Sequence, residues 1–203
     1  MALYDPNQTP ETTQLRAHVV ARTMLASSAS LTEAADRLSL YPGLVTTAHV
    51  ENLLKLALYL LDLPEGYSQF NMAVFYEENY LGDRGRGYAE CGTVACAVGH
   101  APRALSLDPP DIVCPDESTE EAMDDEDPWL SWSDRHLGKL STPVWQFCFT
   151  GFWTSRDNTP QGAAARIIYA VTCESPQTLK GPDFMTENYG LRALYQPLLE
   201  SFG

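Results

Sequence analysis

Basic side chains are scarce in this 203-residue chain. Its 13 Lys and Arg stand against 27 Asp and Glu, a formal net charge of −14. A field of that sign repels phosphate backbones and anionic lipid, so direct nucleic-acid binding and attachment to a charged membrane surface are disfavoured. Long apolar runs are also missing. The longest, Leu53 to Leu63, is broken by Lys55 and Asp62 and falls short of the roughly 20 residues a bilayer span needs. Met1 to Pro10 lacks the basic start and apolar stretch of a secretory signal. Cysteine is sparse and odd in number: Cys91, Cys96, Cys114, Cys148 and Cys173. With no signal, these read as reduced thiols in a cytoplasmic protein. The chain has no internal repeat, no convincing strand-like alternation and no phosphate-binding glycine loop. Gly82, Gly85 and Gly87 lack both a preceding strand and a following Lys-Ser/Thr pair.

What is present is helical. Apolar residues make up 44% of the chain, enough for a core that needs neither disulfides nor a metal. Thr9-Pro10-Glu11 reads as a helix start, with a capping hydroxyl, proline at the first position and an acid near the positive end; the helix is expected to run to about Ser28. Ser30 is the expected cap of a second helix through Leu38, and Tyr41-Pro42-Gly43 a turn. Thr46 or Thr47 opens a third helix, whose Val50, Leu53, Leu54, Ala57, Leu58 and Leu61 give the clearest amphipathic rhythm in the chain. A small-residue helix is expected from Val94 to about His100, with Ala101-Pro102 marking its end or a second start. Trp145, Phe147, Phe149, Phe152 and Trp153 form an aromatic segment expected in a core or interface. Asp157-Asn158-Thr159-Pro160 is a strong helix start: Thr159 caps, Pro160 follows, and Ala163, Ala164, Ile167, Ile168 and Val171 form the buried face. Tyr189 to Phe202 reads as a last helix carrying Leu191, Leu194, Leu198 and Leu199, around Pro197. The fold class is therefore mainly α: a single compact multi-helix domain over residues 1–203 with a long acidic loop at 108–135.

That loop is the compositional outlier. Between Asp111 and Asp134 lie ten acids (Asp111, Asp116, Glu117, Glu120, Glu121, Asp124, Asp125, Glu126, Asp127, Asp134) and no Lys or Arg. Outside it 17 acids face 13 bases, so most of the net charge is local. Pro109, Pro110, Pro115 and Pro128 break the segment up, which points to an exposed loop with at most a helical turn. Such a loop can simply be solvated. It can also dock on a basic protein surface, with Trp129 and Trp132 as aromatic anchors. Calcium fits less well, because Asp124-Asp125-Glu126-Asp127 lacks the glycine and spacing of an EF-hand loop.

The stretch from Cys91 to Ala101 carries the alternative chemistry. A cysteine at a helix N-terminus feels the positive end of the dipole, which favours thiolate. Cys91 is thus a candidate nucleophile, with His136 or His100 as base and Asp134 or Asp157 orienting it. The arrangement is loosely similar to bacteriocin-processing cysteine peptidases, but no peptidase histidine motif surrounds His136. The structural alternative is that Cys91, Gly92 and Thr93 shape a tight helix entry, that Cys96, Ala97 and Gly99 let another helix pack close, and that His100 caps or hydrogen-bonds. Cys91, Cys96 and His100 could supply three metal ligands, but no second Cys/His pair follows, so neither metal nor cofactor is expected. A pocket lined by the aromatic segment, sequestering a small ligand, is a further alternative.

Phe70-Asn71-Met72, the run Cys91-Gly92-Thr93 through Cys96, Gly99, His100 and Ala101, the Trp145–Trp153 block and Asp157-Asn158-Thr159-Pro160 come in an order that resembles a family of small uncharacterised proteins of tailed phages and bacterial genomes. The resemblance covers residues 47–175. It implies a phage or accessory-genome origin, residence in the host cytoplasm and no particular chemistry. In that family Trp also stands where His100 does, which weighs against an obligatory base or ligand there. The expected function is a non-enzymatic accessory protein that binds a host or phage protein through its acidic and aromatic surface, with inhibition of a host defence or nucleic-acid enzyme as one purpose.

Overall fold

A computed structural model describes residues 10–64, 67–72, 96–110, 128–151, 153 and 157–179. Seven α-helices stand among these residues: α1 Pro10–Leu25, α2 Ser28–Leu38, α3 Thr47–Leu61, α4 Ala97–Leu105, α5 Pro128–Leu137, α6 Thr142–Phe149 and α7 Pro160–Thr172, followed by a 3₁₀ turn at Pro176–Thr178. The described residues form a compact, mainly α-helical domain. No helix among the described residues is long and apolar enough to cross a membrane.

The third helix is the hub. It packs most extensively on α7 and also touches α1, α2, α4 and α5. An amphipathic stripe would serve one neighbour; five neighbours demand more. Leu56 and Leu60, outside the expected face, are buried alongside Val50, Leu53, Leu54, Ala57 and Leu61, whereas Leu58 is only half-buried. Each fully buried Leu contributes about 1.5–3 kcal/mol from area alone, before the entropy of ordering it. Its partner α7 is built for close approach. Gly162, Ala163, Ala164, Ala165 and Ala170 are buried, with Ile167, Ile168 and Val171 filling the remaining space.

Several boundaries shift from expectation for local reasons. The first helix stops at Leu25 because Ser27, not Ser30, caps α2: the Ser27 hydroxyl accepts the Ser30 N–H at 3.2 Å. The fourth helix neither ends nor restarts at Ala101-Pro102 but runs through Pro102 to Leu105. Pro102 removes the N–H that would reach Val98, and the helix tolerates that within its second turn.

The largest difference is α5. Residues 128–134 were expected in the acidic loop, but Pro128 opens a ten-residue helix. Trp129, Trp132 and Leu137 bury one side of it, and apolar burial outweighs the turn-like composition upstream. Residues 111–127, and with them the other acids, lie outside the described residues, as do Cys91, Gly92, Thr93, Cys114, Phe152 and the expected C-terminal helix.

Candidate functional site

Three of the sequence blocks meet in space. The segment Tyr67–Met72 is gripped from two sides, by α4 and by the start of α7. From α4, the buried His100 donates from Nε2 to the carbonyl of Gln69 at 3.1 Å. Its ring lies stacked on Phe70, with centroids 5.8 Å apart, and within 6.1 Å of Tyr59 and Tyr67. Burial lowers the His100 pKa from its ordinary value, against a smaller opposing effect of the Gln69 carbonyl. The ring is therefore neutral, and its Nε2 is a committed donor rather than a base. Just before α7, Asn158 accepts the Met72 N–H on Oδ1 at 2.8 Å, and in the first turn of α7 Gln161 Nε2 donates to the carbonyl of Leu63, ahead of the segment, at 2.6 Å.

The start of α7 rests on a buried ion pair. Thr159 accepts the Gly162 N–H at 3.0 Å, as a capping residue should, and Pro160 takes the first helical position. Asp157, expected only as an acid near the positive helix end, does more. Its Oδ1 accepts the Thr159 hydroxyl at 2.6 Å, and its Oδ2 accepts Arg166 Nη1 at 2.8 Å. Both side chains of the pair are almost wholly buried. The Arg166 guanidinium lies over the Trp153 ring, 4.2 Å from its centroid. Trp153 is anchored in turn: its indole N–H donates to the Phe147 carbonyl at 2.8 Å, and its own carbonyl accepts the Asp157 N–H at 2.7 Å. The carboxylate fits so tightly that a Cβ added at Gly162 would fall on it. A buried charge pair leaves little stability to spare once desolvation is counted, but it tolerates the loss of neither partner.

The expected catalytic group is not assembled among the described residues. Asp157 is spent on Arg166 and Thr159, and His100 on Gln69. His136 packs its ring against Trp132, with centroids 4.6 Å apart, while its backbone carbonyl accepts Asn52 Nδ2 at 2.8 Å. Burial, then the charges of Arg135 and His49, lowers its pKa. Cys91 and its neighbours Gly92 and Thr93 lie outside the described residues. Cys96 serves as the residue before α4 and is buried, which pushes its thiol up to about 11. Burial likewise pushes Cys148 up to about 12. Gly99 is buried within α4.

Nor do the two expected anchors stand free. Trp129 and Trp132 are buried, at 6% and 7% exposure. Trp132 donates its indole N–H to the carbonyl of Asp108 at 2.9 Å, tying the approach to the acidic segment onto α5. Ring area spent on the core is not available to a partner, which weighs against these two residues as anchors. The aromatic segment is likewise packed: Phe147, Phe149 and Trp153 are buried and Trp145 half-buried.

Sequence reasoning missed Arg166. Its signal was a lone base in an otherwise apolar helix, nine residues beyond an acid at the helix start. It also missed His49, which joins two helix ends. Its Nε2 donates to the Arg135 carbonyl at 3.2 Å, and its Nδ1 accepts the Thr46 N–H at 3.1 Å.

No protein-family model, no curated protein and no solved structure matches the chain.

Proposed function

We propose that the chain is a non-enzymatic protein-binding module that docks on a basic protein surface through the acids of 111–127. One observation carries this reading. Nine of the 27 acids crowd into those 17 residues without a single Lys or Arg, while the rest of the chain is nearly balanced. Complementary charge of this kind speeds encounter and selects partners by sign more than it adds raw affinity. The commitments of His100 and Asp157 support the same reading, because they leave a Cys91 nucleophile without two of its proposed helpers. Following the motif resemblance, the fitting partner is a host enzyme whose basic surface normally faces nucleic acid, and occupying that surface would inhibit it.

The test starts from full-length protein immobilised to capture partners from a bacterial lysate, followed by titration of the captured protein. Replacing Asp124, Asp125, Glu126 and Asp127 by Asn or Gln should weaken binding about tenfold or more at low salt and flatten its salt dependence. Unchanged affinity and salt slope would overturn the reading.

A further inference from the structure

Two helix ends with opposite needs meet at one imidazole. The N-terminus of α3 presents backbone N–H groups without helical acceptors, and the C-terminus of α5 presents carbonyls without helical donors. Two side chains one turn apart on α3 serve the second need. His49 Nε2 donates to the Arg135 carbonyl at 3.2 Å, and Asn52 Nδ2 to the His136 carbonyl at 2.8 Å. The chain just beyond α5 is tied to the same place, because the Lys139 N–H donates to the Leu44 carbonyl at 3.2 Å. His49 serves the first need as well. Its Nδ1 accepts the Thr46 N–H at 3.1 Å, while the Thr46 hydroxyl accepts the His49 N–H at 3.4 Å.

This arrangement admits one protonation state. A backbone N–H can only donate, so Nδ1 must be the bare nitrogen and Nε2 the one that carries hydrogen. An imidazolium donates from both nitrogens, and a proton on Nδ1 would face the Thr46 N–H, donor against donor. The ring cannot evade this in place. Turning it over would bring ring carbons to both contacts. Shifting it toward α5 is blocked by the buried Gly138, where an added Cβ would stand 2.9 Å from Nδ1 and 3.2 Å from the His49 Cβ and Cγ. The charged and titratable groups around the ring are few. The last turns of α5 bring Asp134, Arg135 and His136, the last of which senses the charge of His49. Lys139 follows Gly138, and Glu51 on α3 lies 3.9 Å from Lys55. The 39–46 turn carries Tyr41 but no charged residue, and the side that α2 buries holds Leu31, Ala34, Ala35 and Leu38. Side chains of α1, α4 and α7 bond or stack at the other end of α3, at Tyr59, Leu61, Asp62 and Leu63.

We propose that His49 is a proton-operated latch between α3 and α5: a proton on Nδ1 breaks the bond to Thr46, drives the ring off Gly138 and loosens the joint at Arg135 and Lys139. Histidine is the side chain whose charge ordinarily changes between about pH 5 and about pH 8, so acid opens the latch. The test is an NMR titration of the full chain across that range, following the ring nitrogens of His49 and the exchange protection of single amides. At the upper end Nε2 should carry hydrogen and Nδ1 none. As the ring takes its second proton, protection at Thr46 and Lys139, corrected for the intrinsic pH dependence of exchange, should fall at least about tenfold with the midpoint of the His49 ring, while α7 keeps its protection. His49→Gln installs the ordinary capping-box residue, which can accept the Thr46 N–H but cannot be protonated in this range. It should hold the joint closed throughout, whereas His136→Gln should open as the native chain does. If His49→Gln does not fold, the native amide midpoints decide, by following the His49 ring or the His136 ring. Four results would overturn the inference: a His49 ring that stays singly protonated down to about pH 5, a ring that titrates while Thr46 and Lys139 keep their protection, opening that persists in His49→Gln, or opening that disappears in His136→Gln.

Discussion

The helices α3 and α7 lie against each other at the centre of the domain and begin alike, each with a threonine whose hydroxyl accepts the backbone N–H three residues on. What lies behind each cap differs. At α3 the reinforcement is half-exposed and made of hydrogen bonds alone: His49 returns a bond to Thr46 and passes another to the end of α5, where Gly138 turns the chain with a φ of 89°. At α7 it is buried and charged: Asp157 holds Thr159 on one oxygen and Arg166 on the other, over Trp153. The same local signal thus serves two purposes. One start joins two helices at the surface. The other locks the core and, through Asn158, holds the Tyr67–Met72 segment.

The sharpest way to break this comparison is to remove one half of the buried pair. Asp157→Ala should cost about 3–5 kcal/mol in urea unfolding, because Arg166 is left charged and buried. Asp157→Leu with Arg166→Met should recover most of that loss; no recovery would mean that the carboxylate acts mainly through Thr159. Gly162→Ala follows, at on the order of 2 kcal/mol destabilising. The sign is the informative part, since alanine inside a helix is ordinarily the better residue by roughly 0.5–1 kcal/mol. A gain in stability would mean that Asp157 can leave its place freely. His49→Ala should cost less, about 1–2 kcal/mol, and Asn52→Ala a similar amount, as expected for neutral hydrogen bonds near water.

The pH dependence sharpens the contrast further. Burial lowers the His100 pKa, so the unfolded chain takes up the proton first as pH falls. The contribution of His100 is full above about pH 6.5 and is lost as pH drops from there toward its folded value. His100→Gln should therefore flatten the acid limb of a stability profile. An unchanged limb would assign acid sensitivity elsewhere. Cys96 and Cys148 act at the other end. Their thiols are raised to about 11 and about 12, so their share of stability holds below about pH 9 and is lost as pH climbs through those values. At pH 8 both should resist alkylation until the protein unfolds, as mass mapping of the labelled cysteines would show.

Much of the helical framework was legible in the residues, because caps and periodicity are local. Thr46, Thr159 and Pro160 marked their helices directly. The misread element was α5, where nine acids and several prolines upstream concealed the helical spacing of Trp129, Trp132 and Leu137. The site was less legible. That Asp157 meets Arg166 can be guessed from one helix, but that His100 and Asn158 grip opposite ends of Gln69–Met72 depends on contacts 31 and 86 residues apart in sequence. No periodicity encodes such contacts. They also changed the chemistry: two residues with the right identity for catalysis are held in place as parts of the framework.

The central claim is that these motif blocks are architecture and that binding resides in the acidic segment. One titration tests it most directly: the captured partner against two folded variants side by side, Asp157→Asn and the fourfold neutralised Asp124, Asp125, Glu126 and Asp127 chain. The account predicts that the first loses thermal stability but keeps the affinity of its folded fraction, while the second keeps its melting temperature and loses about tenfold or more in affinity. The reverse pattern, with affinity lost in Asp157→Asn and retained in the neutralised chain, would contradict it.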